Sequence, residues 1–350
     1  MPARFRSFNK WLIFFAFLFK RISVAATRLV LSHRRLSGNL NIAGLQILTR
    51  TMTQIGEQRR KERLLRRNST GAPLRRSTSV ALMLCCAIRA LTAGAWAAAL
   101  ERVAFDSASQ RLLSGTLIEG ERIEGYLARP DGAGPFPAVV ALHGCAGMHD
   151  TTKQRLADQL VRRGYVVLLV DSYATRRIVD ACTSTAFATF LKRRPDAYGA
   201  LLFLGSQRFV DPQRVAVVGF SAGARVALSV AAPNSFELFL PPSSLRFRAA
   251  AAFYPPCKDP WTARPAIPAL IFIGALDDWT PAADCSDKVA SWAKDGPPIE
   301  LIVYPGAYHG FYYPHLQPGQ TMFDHWLEYN GEAADDSTRR LHQFLDRHLK

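Results

Sequence analysis

The sequence predicts an α/β fold, a mostly parallel central sheet flanked by helices in a three-layer αβα sandwich. Two observations predict it. From Ala98 onward, short and continuous apolar runs recur, and stretches of helical periodicity separate them. Runs that are apolar on both faces suit strands buried in a parallel sheet. Strands alternating with helices through right-handed crossovers are how such sheets are assembled.

The first element differs from the rest. "LLSGTLIEGERIEGYLARP" alternates apolar and polar residues around Gly120-Glu121 and reads as an antiparallel hairpin. Then come the buried strands PAVVAL (137–142), YVVLLV (165–170), RVAVVGF (214–220), RAAAAFY (248–254), IPALIFIG (267–274) and IELIVYP (299–305). Helices are expected over Thr152–Arg163, where Leu156, Ala157, Leu160 and Val161 share a face, and over Ala222–Ala232 and Ala282–Ala293. Another is expected over Pro195–Gln207, with proline in its first turn. The last, Asp336–Leu349, carries the stripe Leu341, Phe344, Leu345 and Leu349.

Charge divides the chain of 350 residues, whose formal net charge is +16. Residues 1–79 hold 17 Lys and Arg against Glu57 and Glu62, while the remainder holds 27 basic and 26 acidic residues. The basic excess thus belongs to the tail and reads as solvated or disordered chain. A nucleic-acid binder would need those residues on the folded body, so that class is not expected.

Two apolar islands interrupt the tail. Trp11–Phe19 is nine residues long, well short of the ~20 a membrane helix needs, so no stable membrane span is expected. In the second, Arg75-Arg76 form a basic n-region, Val80–Ile88 a short apolar h-region interrupted just beyond by Arg89, and Ala95-Trp96-Ala97 a small-residue cleavage site. Three segments follow: a basic extension (1–76), disordered or over-called; a signal-peptide-like stretch (77–97); and one α/β domain (98–350). A signal peptide should open a chain, so translation is expected to start downstream, at Met52 or nearer Val80. The alternative is a genuine basic extension touching anionic lipids. Export to the periplasm or beyond follows from the signal-like segment.

Cys145, Cys182, Cys257 and Cys285 lie in the body. Their even number allows three disulfide connectivities after export, and four buried free thiols is the equal alternative.

One serine stands between two glycines in Gly219-Phe220-Ser221-Ala222-Gly223. At typical glycine usage such a pattern arises by accident in roughly one chain of this length in ten. Its surroundings carry more weight. A strand precedes it and a helix follows, the setting of a nucleophile elbow, where small residues permit a tight and strained turn. A serine hydroxyl needs a base, and the base needs a carboxylate to orient it. Downstream, "GALDDWTP" ends one strand with Asp277 and Asp278, and "YPGAYHGF" ends the next with His309. The order Ser, Asp, His on successive post-strand loops suits this architecture, whose sites lie at the carboxyl ends of strands. Strand alternation favours Asp277 as the acid, leaving Asp278 to cap the next segment. Upstream, "LHGCAGM" offers the Cys145 N–H as oxyanion donor beside that of Ala222, with His143 stabilising the turn. Tyr173, Trp279 and Tyr308 are the expected substrate contacts, and Tyr254 a further wall. Arg176 and Arg177 either meet an anionic acyl group or are solvated.

At these residues the chain resembles the dienelactone hydrolase family of α/β-hydrolases. The resemblance runs from about Leu112 to Leu349 and rests on "VVALHGCAGM", "DAYGALLFL", "VAVVGFSAGA", "GALDDWTP" and "YPGAYHGF". It implies an α/β-hydrolase fold, with Ser221 as nucleophile, His309 as base and Asp277 as acid. Founding members carry cysteine at the elbow, so serine here implies general ester or lactone hydrolysis through an acyl-enzyme. The expected partner is a small-molecule ester or lactone, and neither a metal nor an organic cofactor is expected. A peptidase of the prolyl-oligopeptidase type shares this domain but carries a gating domain before it. A non-catalytic exported binding protein on the same scaffold would show a broken triad.

Overall fold

The computed structural model describes residues 97–350, apart from 113, 184–185, 238, 241–243, 259–261 and 294. The basic extension and nearly all of the signal-like segment lie outside the described residues.

The central sheet has eight strands. They are β1 (Glu101–Asp106), β4 (Arg122–Ala128), β5 (Phe136–Leu142), β6 (Val166–Asp171), β7 (Val210–Phe220), β9 (Ala249–Phe253), β10 (Ala269–Gly274) and β11 (Ile299–Tyr304). Their order is β1-β4-β6-β5-β7-β9-β10-β11. β4 runs antiparallel to both its neighbours, and every pairing from β6 to β11 is parallel. This is the α/β-hydrolase fold.

Alternation along the strands explains the layers. In β5, Val139 and Ala141 face helices α1 (Asp150–Val161) and α5 (Gly331–Leu349), joining Leu156, Leu160, Leu341 and Phe344 in one core. Ala138, Val140 and Leu142 face the other way, toward α2 (Ala186–Gly205) and α3 (Ala222–Val230), and pack with Leu201, Leu204 and Val226. A third cluster sets Ile271 and Ile273 of β10 against Cys285 of α4 (Ala282–Ser291). Both sheet faces are therefore covered, as the all-apolar runs require.

Three expectations are corrected. The hairpin does not form within 112–130: β4 pairs instead with β1, from Glu101↔Leu127 to Asp106↔Arg122. The intervening chain forms β2 (Ser109–Arg111) and β3 (Leu117–Ile118), which pair with each other and, through β2, with β8 (Phe239–Leu240). The turn at Gly120-Glu121 closes this excursion, where Glu121 N–H donates to Ser107 Oγ at 2.8 Å. Helix α2 begins at Ala186, so Pro195 lies inside it. Burial of Phe190 and Arg193 in the turn before the proline outweighs the hydrogen bond that proline forfeits. Helix α5 begins at Gly331 rather than Asp336, because Asn330 caps it by accepting the Ala333 N–H at 3.0 Å.

Candidate active site

Six strand ends converge on one edge of the sheet. β7 is central, between β5 and β9, and Ser221 follows its last residue. The Ser221 N–H still donates to Phe253 O at 2.9 Å, as though the β7–β9 ladder continued one step. Then the backbone turns sharply. Ser221 has φ 52° and ψ −116°, a left-handed conformation rare for a residue with a Cβ. Both flanking glycines are required by space. A Cβ on Gly219 would lie 2.1 Å from Gly223 O, and one on Gly223 would lie 2.3 Å from Leu142 O.

The structure brings Ser221, His309 and Asp277 together. His309 Nε2 is 3.0 Å from Ser221 Oγ, and its Nδ1 is 2.8 Å from Asp277 Oδ2. Asp277 and His309 are buried. The loops after β10 and β11 reach this register because they pack closely: Leu276 N–H donates to Ala307 O at 3.0 Å, and a Cβ on Gly274 would fall 2.2 Å from that oxygen.

Asp277 Oδ1 accepts the backbone N–H groups of Trp279 (3.0 Å) and Thr280 (2.7 Å). Thr280 Oγ1 donates to Oδ2 at 2.9 Å. The carboxylate is thus bound by its own loop before the imidazole arrives. Asp278 does not cap the next helix, whose N-cap is Pro281. It is exposed and lies 3.6 Å from His325 Nδ1. Thr280 went unnoticed in the sequence, although Asp-x-x-Thr after a strand is a recognisable carboxylate-binding turn.

On the other side of Ser221 is the turn after β5. A Cβ built on Gly144 would stand 3.7 Å from Ser221 Cβ. His143 holds this turn: its Nδ1 donates to Gly144 O at 2.7 Å, and its Nε2 accepts the Ser172 N–H at 3.3 Å. Burial, and then the charge of Arg193, hold His143 well below the usual imidazole range, so it is neutral, as those two bonds demand. Arg193, also buried, donates through Nη2 to His143 O. Among the described residues neither the Cys145 nor the Ala222 N–H has an acceptor. The four body cysteines form two disulfides, Cys145–Cys182 and Cys257–Cys285.

Ser221 and Cys145 line two cavities at once. One, of about 280 Å³, is walled mainly by apolar groups, among them Met148, Leu156, Phe220, Tyr254, Tyr313 and Leu316. The other, of about 220 Å³, includes Tyr173, Cys182, Arg193, Ala222 and Arg225. Trp279 borders both, and its ring lies 5.0 Å from that of His309. Tyr173 is buried, with its ring edge-on to His143 at 4.5 Å. Tyr308 lines neither cavity and packs instead against Trp326. Arg176 is held by Asp196 in two bonds of 2.7 and 2.8 Å and by Glu121, whereas Arg177 is exposed. Among the described residues no group of His, Cys, Asp and Glu gathers as a metal site would require, and no described helix is long and apolar enough to cross a membrane.

Sequence similarity defines the class as a hydrolase acting on ester bonds. The chain belongs to the dienelactone hydrolase family, whose model matches residues 123–349. A Synechocystis sp. protein bearing the name carboxymethylenebutenolidase is 24% identical over 257 residues, covering 65% of this chain and 93% of its own. Among solved structures, a dienelactone hydrolase-like promiscuous phosphotriesterase from metagenomic libraries superposes with a TM-score of 0.54 at 21% identity, covering 71% of this chain and 99% of its own. A Pyrococcus furiosus esterase gives 0.50 at 17% identity, with 73% and 98% covered.

Proposed function

We propose that the protein is a serine hydrolase that cleaves a carboxylic ester or lactone through an acyl-enzyme. The observation that carries this reading is the unbroken chain of contacts from Ser221 Oγ through the His309 ring to Asp277, at 3.0 and 2.8 Å. In the first half-reaction Ser221 Oγ attacks the substrate carbonyl carbon while His309 Nε2 takes the hydroxyl proton. Asp277 holds the Nδ1–H tautomer and stabilises the imidazolium. The Cys145 and Ala222 N–H groups receive the oxyanion, the latter aided by the first turn of α3. The C–O bond to the leaving alcohol then breaks, and His309 returns its proton to that oxygen. Water repeats the sequence and releases the acid. Trp279, which borders both cavities, and Tyr173, which lines the smaller one, border the substrate.

Export is the second part of the proposal. The signal-like segment supports it, and so do two disulfides, which persist in oxidising compartments.

The test is a panel of p-nitrophenyl esters and simple lactones with the wild type, Ser221→Ala and His309→Ala, beside labelling by a fluorophosphonate. Wild-type turnover and labelling, both abolished in Ser221→Ala, are expected. Undiminished turnover by Ser221→Ala would sink the assignment.

A further inference from the structure

The Gly144–Cys145 peptide fixes the direction of the Cys145 N–H. A trans peptide points its N–H opposite its carbonyl, and Gly144 O is occupied by His143 Nδ1 at 2.7 Å and by the Gly147 N–H at 3.4 Å. The plane is therefore set within the turn. The base of the turn is anchored by the Ser172 N–H on His143 Nε2 and by Arg193 Nη2 on His143 O, so what remains free is movement of its tip at Cys145 toward or away from Ser221. The turn's own bonds cannot prevent that, because they travel with it.

Two contacts from a different loop do prevent it. Cys145 O accepts the Ala181 N–H at 2.8 Å, and Cys145 Sγ is bonded to Cys182. Ala181 and Cys182 belong to the chain between β6 and α2, and Ala181 is itself buried. Cys182 borders both cavities at Ser221. The second disulfide differs. Cys257–Cys285 ties the loop after β9 to α4, and neither of its cysteines lines either cavity.

We infer that Ala181 and Cys182 are positioning residues for the reaction: the Cys145–Cys182 disulfide and the Ala181–Cys145 hydrogen bond clamp the oxyanion turn against Ser221. The inference rests on the reading of the Cys145 N–H as an oxyanion donor. Such donors act through preorganisation, and one whose support is loose loses most of its advantage.

The test compares an ester with its thionoester, in which sulfur replaces the carbonyl oxygen. The longer C=S bond and weaker acceptor gain less from a correctly placed N–H, so the ratio of the two kcat/KM values reports the donor's alignment. In Cys145→Ser/Cys182→Ser, kcat/KM for the ester is expected to fall about 10-fold. KM should hold, and the ester-to-thionoester ratio should contract. Cys257→Ser/Cys285→Ser should lose melting temperature yet keep the native ratio. Ala181→Pro, which removes the N–H and keeps the disulfide, should contract the ratio in the same direction and decides the matter if the double variant does not fold. A native ratio in the Cys145/Cys182 variant or in Ala181→Pro overturns the clamp, as does equal contraction in both cysteine pairs. Either result, with Ser221→Ala inactive, leaves the hydrolase reading standing. Full activity in Ser221→Ala removes that reading instead.

Discussion

Thr280 Oγ1 lies 2.9 Å from Asp277 Oδ2, the same carboxylate oxygen that His309 Nδ1 meets at 2.8 Å. The hydroxyl has one proton, and its other acceptor, Tyr254 O, is farther at 3.2 Å. Thr280 therefore holds the oxygen that orients the imidazole. Thr280→Val keeps the shape and removes the bond, worth about 1.5 kcal/mol to a charged acceptor, or about tenfold in rate. The expected result is a tenfold fall in kcat with KM nearly unchanged and recovery in Thr280→Ser, read by steady-state kinetics.

The elbow glycines test the frame. Gly223→Ala would place a Cβ 2.3 Å from Leu142 O and 2.5 Å from His143 O, both backbone atoms with nowhere to yield. The helix must retreat from the turn after β5, and a displacement near 1 Å costs about 10²-fold in rate. We expect kcat/KM to drop by about that factor and thermal unfolding to move to lower temperature.

Arg176 distinguishes a binding role from a structural one. Its guanidinium is paired with the fully buried carboxylate of Asp196. Arg176→Ala leaves that carboxylate uncompensated, at a cost of about 3–5 kcal/mol. Calorimetry should register the loss, while KM for neutral esters stays put. A selective rise in KM for carboxylate-bearing esters would instead assign Arg176 to the substrate.

Stability should decline in mild acid. Burial, chiefly, holds His342 down at about 4 from an ordinary 6.5, and its Nε2 is buried without a partner. His143 is shifted in the same direction. Both have folded values below their unfolded ones, so between those values the unfolded chain binds more protons. The contribution of His342 is complete above about 6.5 and is lost as pH falls through that window toward 4, and that of His143 is lost in the same direction. Melting temperatures from pH 7 to 4.5 should drop by several degrees, and His342→Gln should flatten part of the slope.

Much of the site was legible because its parts obey local rules. Ser221, Asp277 and His309 each end a strand whose apolar run is unmistakable, and Gly219 and Gly223 mark the only kind of residue the elbow accepts. The disulfide pairing was not legible, because it depends on which loops meet in space. Neither was Thr280, whose partner lies three positions back within an ordinary polar turn. Tyr308 stands apart from both cavities for the opposite reason: it is the residue before His309, and adjacent residues on a turn diverge. The hairpin around Gly120 failed because a better antiparallel partner for β4, Glu101–Asp106, lay farther upstream. Pro195 marked a helix start by local preference, and tertiary burial overrode it.

The position of β7 has a consequence for how such an enzyme diversifies. Ser221 hangs from a strand with hydrogen-bonded neighbours on both sides. One wall of the apolar cavity, by contrast, comes from Tyr313, Leu316, Gln320, Met322 and Leu327, a stretch outside the central sheet. Machinery and lining are thus separately editable. A mutational library confined to Gln320 and Met322 should yield altered acyl preferences at full chemical competence, so that selection can explore new substrates without first repairing the catalyst.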